Sequence, residues 1–477
     1  MRRHRTLSIA LGLCALAGDA LAQQTPRPTP ARPAPAQPAA AQPSAPLALQ
    51  IPVQRERLDN GLRVVLSPDH SVATVAIAIY YDVGSRMEER GRSGFAHLFE
   101  HLMFEGTEGL PKGEFDRLLS LHGADSNATT SEDRTNYFEM LPASSLELGL
   151  WLEADRMRAL AITTEAFENQ RLTVMEERRQ SYENRPYMQS FLRRDELFYE
   201  GYFPYEHSTI GDMRDLEMTG VPPAEQIRRV RDFHARWYAP DNAVLSIAGD
   251  FDPAEALAMV RRNFGSINTH RGEAWTEPSY TPPTTERVAS ITDQHAEAPG
   301  FHIAWHVPPR RTTDHYPLEL LALILGGGES SRMYRTLVRD RELLAEIDVD
   351  TEDRRGPDLF TVWAICAEGH SPAEARTALD AIVTEVVANG VTARELEKAK
   401  NAFRAGFVFG LQRPLDRAEY LGMTELYDGD ASIVNAEIAR YEAVTLDDIR
   451  RVAAQYLVST NRLVLDVLPA PEEAAAH

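Results

Sequence analysis

Cysteine is almost absent from this 477-residue chain, which contains only two. Cys14 lies in an apolar run near the N-terminus, and loss of that run would leave Cys366 alone, which excludes an intramolecular disulfide. Positive charge is also scarce, because 50 Lys and Arg stand against 71 Asp and Glu and give a formal net charge of −21. This balance argues against a nucleic-acid-binding protein, whose affinity needs clustered basic side chains.

The N-terminal segment has the pattern of a secretory signal. Arginines precede an apolar run of about a dozen residues, and Ala-Leu-Ala follows it, so cleavage is expected after Ala22. The run is too short to span a bilayer as a helix, and no other stretch has transmembrane length. We therefore expect residues 1–22 to be a signal peptide and the mature protein to be secreted into the periplasm.

Residues 23–48 are rich in Pro and Ala and nearly free of large apolar side chains. Such a segment cannot bury a core, which predicts an extended linker. The chain becomes globular in composition from about Val53, and its remaining length predicts at least two domains.

A unit of helix, turn and strand occurs twice, 219 residues apart. Its matched positions are Val230, Phe233, Trp237 and Asn242 in the first copy and Ile449, Val452, Tyr456 and Asn461 in the second. A repeat this long indicates two homologous domains, here residues 49–276 and 287–470, joined by a linker at 277–286. Each half mixes antiparallel-type strands with helices, so the predicted class is α+β, a mainly antiparallel sheet packed with helices in each domain.

The most informative stretch is residues 94–107, GFAHLFEHLMFEGT, which carries His97, Glu100 and His101 within an apolar run. On a helix the two histidines lie about 40° apart around the axis and about 6 Å apart along it, so both rings can contact one ion. Zinc suits two imidazoles and a carboxylate and leaves a position for water. Glu100 could then take a proton from that water.

The alternative interpretation of these histidines is a pair of core side chains satisfied by hydrogen bonds. The complete His-x-x-Glu-His pattern in an apolar setting favours a metal site over that alternative. The corresponding helix of the second half, residues 316–325, contains no histidine. We therefore expect the first domain to be catalytic and the second to be non-catalytic.

The segment HLFEH resembles the inverted zincin motif of the pitrilysin/insulinase family, which includes the β subunit of the mitochondrial processing peptidase. The similarity covers nearly the whole mature chain, including the segments NATTSEDRTNYFEM, FHARWYAPDNAVLSIAGDFDP and LGGGESSRMYRTLVRDRELLA. The resemblance implies a two-domain metallopeptidase that holds one zinc ion per chain.

In this family the third zinc ligand is a Glu on a later helix. Glu177 leaves 75 residues after His101 and fits the family's Arg-x-Val-Val-x-x-Glu pattern, while the adjacent Glu176 remains the alternative. The family often places a second carboxylate seven residues before the ligand, where this chain has Gln170. An amide there could still hydrogen-bond a ligand, but it adds no charge.

The resemblance also implies how a substrate is held. The segment SNATTSED resembles the family's edge strand, so Asn127, Ala128 and Thr129 are expected to pair with an extended peptide through their main-chain groups. An ordinary strand without this role is the alternative interpretation.

One family feature is missing from the second half. Many members carry an Arg and a Tyr seven residues apart that steady the substrate carbonyl and its developing negative charge. Arg339 fits this pattern, but Glu346 occupies the Tyr position. The resemblance then implies a paralogous partner subunit that carries the Arg/Tyr pair, or otherwise a homodimer.

Together these observations predict a zinc-dependent endopeptidase that hydrolyses short or unfolded peptides as the zinc-bearing subunit of a heterodimer. Two alternatives remain open: a non-catalytic assembly subunit of a peptidase-like complex, and a metal-binding protein without hydrolytic activity.

Overall fold

The computed structural model describes residues 49–269 and 275–471. The expected signal peptide at 1–22 and the linker at 23–48 lie outside the described residues. No helix in the described part of the chain combines the length and the apolar character that crossing a membrane requires.

Strands and helices alternate along the chain in a pattern that repeats once. The strands are β1 Gln54–Arg57, β2 Arg63–Pro68, β3 Thr74–Tyr81, β4 Asp125–Thr130, β5 Thr135–Pro142, β6 Ala243–Gly249, β7 Arg287–Asp293, β8 Gly300–Val307, β9 Leu344–Thr351, β10 Asp358–Cys366 and β11 Arg462–Pro469. The helices are α1 Phe95–Leu102, α2 Glu114–Leu121, α3 Leu146–Ala159, α4 Thr164–Arg178, α5 Met188–Phe198, α6 Phe203–Glu206, α7 Met213–Glu217, α8 Pro223–Trp237, α9 Pro253–Phe264, α10 His315–Gly326, α11 Pro372–Asn389, α12 Ala393–Gly410, α13 Pro414–Asp428, α14 Glu437–Glu442 and α15 Leu446–Tyr456.

The strands form two sheets, and strands β2 to β6 of the first have the same topology as the five strands of the second. The first has the order β1-β2-β6-β3-β5-β4 and the second the order β7-β11-β8-β10-β9. In each sheet one pair is parallel, β2 with β6 and β7 with β11, and the other neighbours are antiparallel. Helices pack on both sheets. The predicted α+β class is confirmed.

The repeat seen in the sequence is also a structural repeat. Nδ2 of Asn242 donates to the carbonyl of the last residue of α8 at 2.9 Å and to the carbonyl of Asp82 at 3.2 Å. Nδ2 of Asn461 donates to the carbonyl of the last residue of α15 at 2.9 Å and to the carbonyl of His306 at 2.8 Å. Each amide thereby ties a helix to the sheet, which satisfies backbone acceptors that the helix end leaves open.

Each sheet is covered on one face by a helix from the other half of the chain. Helix α13 packs on β3 and β6, and a Cβ at Gly422 would lie 2.8 Å from the ring of Tyr80. In return, α5 packs on β7 and β11. Aromatic side chains at its end and just beyond it, including Phe198 and Tyr199, form one buried cluster with Leu359 and Leu463 of the second sheet.

The helix in the second half begins one residue earlier than the sequence interpretation had it. Helix α10 starts at His315, which is buried and lies 3.3 Å from Glu319. The statement that this helix contains no histidine is therefore wrong. The apolar run marked the centre of the helix correctly, but helix ends depend on caps and packing that a run of apolar residues does not specify.

Candidate metal centre

Helix α1 lies with one face in the core of the first half and the other toward α4 and β4. Phe95, Leu98 and Phe99 are buried in the main hydrophobic cluster, and the ring of Phe99 stacks on Phe233 with centroids 5.2 Å apart. The hydroxyl of Tyr137 donates to the carbonyl of Phe99 at 3.2 Å. The apolar periodicity of the segment thus fixes the helix and turns its polar side chains outward from this core.

Three of the predicted side chains converge on one point. Nε2 of His97 lies 3.4 Å from Nε2 of His101, and Oε2 of Glu177 lies 3.7 Å and 3.4 Å from these two nitrogens. Ligands that surround zinc tetrahedrally at about 2.1 Å are about 3.4 Å from one another. The spacing of the three atoms therefore fits a single tetrahedral ion with one position left over, and the described residues contain no other group of this kind.

The protonation states also suit a metal. Burial and the neighbouring His101 lower the pKa of His97 to about 3, so this imidazole is neutral at physiological pH. A hydrogen bond from His101, together with the nearby His97, lowers the pKa of Glu177 despite its partial burial. Neutral imidazoles and an ionised carboxylate are the forms that coordinate divalent cations.

The adjacent Glu176 points to solvent. Its carboxylate accepts from Nε2 of Gln180 at 2.8 Å and lies 3.4 Å from Arg179, and its side chain is 55% exposed. Successive helix positions are rotated by about 100°, so only one of two adjacent glutamates can face the imidazoles. Immediately after Glu177, α4 passes into a π-helical turn at 179–183, a feature that often occurs at functional sites.

Glu100 occupies a separate place beside the cluster. Its Oε2 accepts a hydrogen bond from the hydroxyl of Thr130 at 2.6 Å. Burial raises the pKa of Glu100, while the Thr130 hydrogen bond acts in the opposite direction. A carboxylate with a raised pKa that is held next to a metal site is suited to proton transfer.

Gln170 does not reach the cluster. Its Nε2 donates to Glu105 at 2.6 Å, and Glu105 also pairs with Nζ of Lys112 at 2.6 Å. Seven residues on a helix span about 10 Å, and the carboxylate of Glu105 is a nearer, charged acceptor. A hydrogen bond from Gln170 to a metal ligand, as the resemblance implied, is therefore not formed.

The predicted substrate strand is an edge strand. Strand β4, which contains Asn127, Ala128 and Thr129, pairs with β5 on one side and has no strand partner on the other within the described residues. Oδ1 of Asn127 accepts from the backbone N–H of Ala128 at 2.9 Å. Nη1 of Arg134 donates to the carbonyl of Thr129 at 2.7 Å. The strand therefore has the position that strand addition requires, but side chains already engage some of its groups.

Arg339 and Glu346 lie on the second half, in a π-helical turn and on β9 respectively. The guanidinium of Arg339 pairs with its neighbour Asp340 at 2.8 Å and is 57% exposed. Glu346 is exposed on the edge strand of the second sheet.

Sequence reasoning did not find two contacts of the site. Thr130 lies in a segment that was assigned only to substrate pairing, and its contact with Glu100 depends on how β4 packs against α1. Glu88, seven residues before the first residue of α1, accepts hydrogen bonds from the start of that helix. Apart from its position close to the motif, nothing in the sequence indicates that Glu88 contacts the start of α1.

Two family models match this chain. The model described as insulinase (peptidase family M16) matches residues 63–201, which include all three converging side chains. The model described as the M16 inactive domain matches residues 226–403. The chain belongs to the pitrilysin/insulinase family, M16.

Similar proteins support this assignment. A zinc protease of Helicobacter pylori, PqqE, is 28% identical over 422 residues, which cover 86% of this chain and 92% of that protein. The bovine mitochondrial-processing peptidase subunit beta is 25% identical over 447 residues, 89% of this chain and 86% of the relative. A crystal structure of a protease from Helicobacter pylori superposes with a TM-score of 0.81 at 26% identity, covering 88% of this chain and all of that one.

Proposed function

We propose that this M16 protein is a zinc-dependent endopeptidase that hydrolyses short or unfolded peptides in the periplasm. The observation that carries the proposal is the convergence of His97, His101 and Glu177 within 3.7 Å of one another. The periplasmic location rests on the signal pattern of residues 1–22.

His97, His101 and Glu177 would hold one zinc ion per chain. Zinc bound there would polarise the scissile carbonyl and lower the pKa of the attacking water. Glu100 accepts the proton of that water and returns it to the leaving amine, a double role that its raised pKa favours. The hydroxyl of Thr130 keeps this carboxylate oriented through its hydrogen bond.

The substrate would bind as an added strand along β4. Main-chain groups of Asn127, Ala128 and Thr129 would pair with an extended peptide, and this mode needs a substrate segment without fixed secondary structure. Because Thr130 at the end of the same strand contacts Glu100, a peptide on β4 would lie next to the proton-transfer group. This arrangement supports a preference for short or unfolded peptides.

Two residues of the second half support the proposal that the enzyme needs a partner subunit. Glu346 stands where the family has a Tyr, and a carboxylate would repel the negative charge that develops on the substrate carbonyl. Arg339 is paired with Asp340 and exposed. We infer that a paralogous subunit with an intact Arg/Tyr pair completes the enzyme as a heterodimer; a homodimer is the outcome to expect if no such subunit is required.

Glu100→Gln tests the proposed hydrolase directly. The variant should bind zinc like the unmodified protein but lose at least about 100-fold in kcat/KM on a fluorogenic unfolded peptide, because the amide cannot accept the proton. Glu108→Gln is the matched control, since Glu108 is exposed and lies outside the cluster.

Both proteins should be assayed alone and together with the paralogous subunit. A large gain in activity on mixing supports the heterodimer, and full activity of the chain alone contradicts it. A Glu100→Gln protein that cleaves normally contradicts the enzyme proposal. Zinc binding without cleavage under either condition would instead support a scaffold or metal-binding role.

A further inference from the structure

Helix α1 begins without any of the usual local caps. Its N-cap residue is Gly94, at φ 91°, which has no side chain to accept a hydrogen bond from the first turn. The first turn contains no acidic residue either. The free N–H groups of a helix start are costly when buried unless another acceptor reaches them.

Glu88 supplies that acceptor from outside the helix. Its Oε2 accepts from the N–H of Gly94 at 2.8 Å and its Oε1 accepts from the N–H of Ala96 at 2.7 Å. The Glu88 side chain is fully buried, so water cannot replace it. One carboxylate thus accepts from two open donors, the N–H groups of Gly94 and Ala96, and its negative charge lies at the positive end of the helix.

Glu88 is itself held in place by His207. Nε2 of His207 lies 2.9 Å from Oε2 of Glu88, while Nδ1 contacts the carbonyl of Phe203 at 2.7 Å. Since a carbonyl can only accept, Nδ1 carries a proton. The imidazole ring stacks on Phe203 with centroids 4.2 Å apart. The carboxylate therefore has a defined position and little freedom to turn.

The segment that begins at His207 also contacts the backbone just before α1. The hydroxyl and the N–H of Ser93 donate to Asp215 at 2.6 Å and 3.0 Å. Gly94 and Gly211 pack backbone against backbone, because a Cβ at Gly211 would lie 2.6 Å from Cα of Gly94. The start of α1 is thereby held by Glu88 and by the segment 207–215.

His97 directly follows Ala96, whose N–H donates to Glu88, and His101 is one helical turn further on. A rotation or shift of the first turn therefore moves both imidazoles relative to Glu177, which lies on a different helix. We propose that Glu88, oriented by His207, is a positioning residue that sets the placement of the metal-binding helix against α4. This inference rests on the proposed function, because it concerns the geometry of the same metal site.

The test compares Glu88→Gln with Glu89→Gln. The amide offers one oxygen and so cannot accept from both N–H groups, whereas Glu89 is a 57% exposed neighbour that pairs with Arg92. Zinc affinity of the purified protein is measured by competition with a chromophoric chelator. We expect Glu88→Gln to weaken zinc binding about tenfold or more, as loss of supporting contacts does at other zinc sites, and Glu89→Gln to leave it unchanged.

Two further readouts separate positioning from a general loss of stability. Amide hydrogen exchange in the metal-free variant should speed up in α1, including at Leu98, whose N–H donates to the carbonyl of Gly94. At saturating zinc, kcat should fall while KM stays close to its original value. His207→Phe keeps the stack on Phe203 and removes the donor to Glu88, so it should weaken zinc binding in the same direction by a smaller factor.

The outcomes are distinguishable. If the unmodified protein binds no zinc, the proposed function fails. If the unmodified protein binds zinc and Glu88→Gln binds it equally tightly, only the positioning inference is overturned. Should Glu88→Gln fail to fold, His207→Phe decides: unchanged zinc affinity in that variant overturns the inference, and weakened affinity supports it.

Discussion

The hydroxyl of Thr130 donates a 2.6 Å hydrogen bond to the carboxylate of Glu100. This bond joins the last residue of the edge strand β4 to the middle of the helix that carries His97 and His101. The site therefore has three supports from different parts of the first half: α1, α4 through Glu177, and β4 through Thr130. The proposed proton-transfer group and the proposed substrate strand are physically linked.

Replacement of Thr130 by Val should move the acid limb of the pH profile of kcat/KM. The hydrogen bond stabilises the ionised carboxylate, while burial raises the pKa of Glu100. Loss of the bond removes one of the contacts that oppose the effect of burial and raises that pKa further, so activity should disappear at a higher pH. Thr173→Val is a control, because the Thr173 hydroxyl bonds only to its own helix at an exposed position. An acid limb that stays in place would contradict the role of Glu100 as the base.

His306, a buried side chain of the second half, should make the free energy of unfolding depend on pH. Its ring stacks on Phe198 with centroids 3.8 Å apart, and Nδ1 contacts the hydroxyl of Tyr280 at 3.0 Å. Burial lowers the pKa of His306 to about 4, from 6.5. Between these two values the unfolded chain binds more protons than the folded one, so the free energy of unfolding decreases as the pH falls.

The expected loss is about 3 kcal/mol between pH 6.5 and pH 4. His306→Phe removes this contribution while keeping a ring against Phe198, and the Tyr280 hydroxyl retains an acceptor in the carbonyl of Phe198. Denaturant unfolding at several pH values should therefore show a smaller acid dependence in His306→Phe than in the unmodified protein. The exposed His122→Gln variant should behave like the unmodified protein. Equal acid dependence in all three would refute the assignment.

Each sheet is covered on one face by a helix from the other half of the chain, which predicts that neither half is stable alone. Without α13, the face of the first sheet that includes Ala78 and Tyr80 would be exposed, although both residues are now fully buried. A fragment of residues 49–276 should aggregate when expressed alone and become soluble when coexpressed with residues 277–471. As a control, proteolysis at a site inserted within residues 277–286 should leave the halves associated. A soluble, cooperatively folded fragment 49–276 would contradict the prediction.

The sequence predicted the repeated parts of this fold well because a local pattern determines them. Asn242 and Asn461 lie at matched positions in the sequence, and each bonds the preceding helix end and a backbone carbonyl at or just after the end of a strand. The converging histidines were also predictable, because helix geometry alone brings residues four apart to one face. Such features need only spacing and side-chain chemistry.

Other features depend on contacts between distant segments. The packing of α13 on the first sheet joins residues more than 300 positions apart, as at Gly422 and Tyr80, and no local pattern specifies it. Gln170 was expected at a metal ligand but bonds Glu105, since the choice between two acceptors depends on the packing of α4. The cap at Glu88 similarly required knowledge of the chain path before α1. The signal peptide, the domain boundaries and the partner subunit stay predictions.

The zinc content of Glu177→Gln, compared with Glu176→Gln, tests the central claim most directly. The two variants make the same chemical change at adjacent positions of α4, but only Glu177 faces the imidazoles in the structure. Elemental analysis after dialysis against a weak chelator should find about one zinc ion per chain in the unmodified protein and in Glu176→Gln, and far less in Glu177→Gln. Full zinc content in Glu177→Gln, or none in the unmodified protein, would contradict the account.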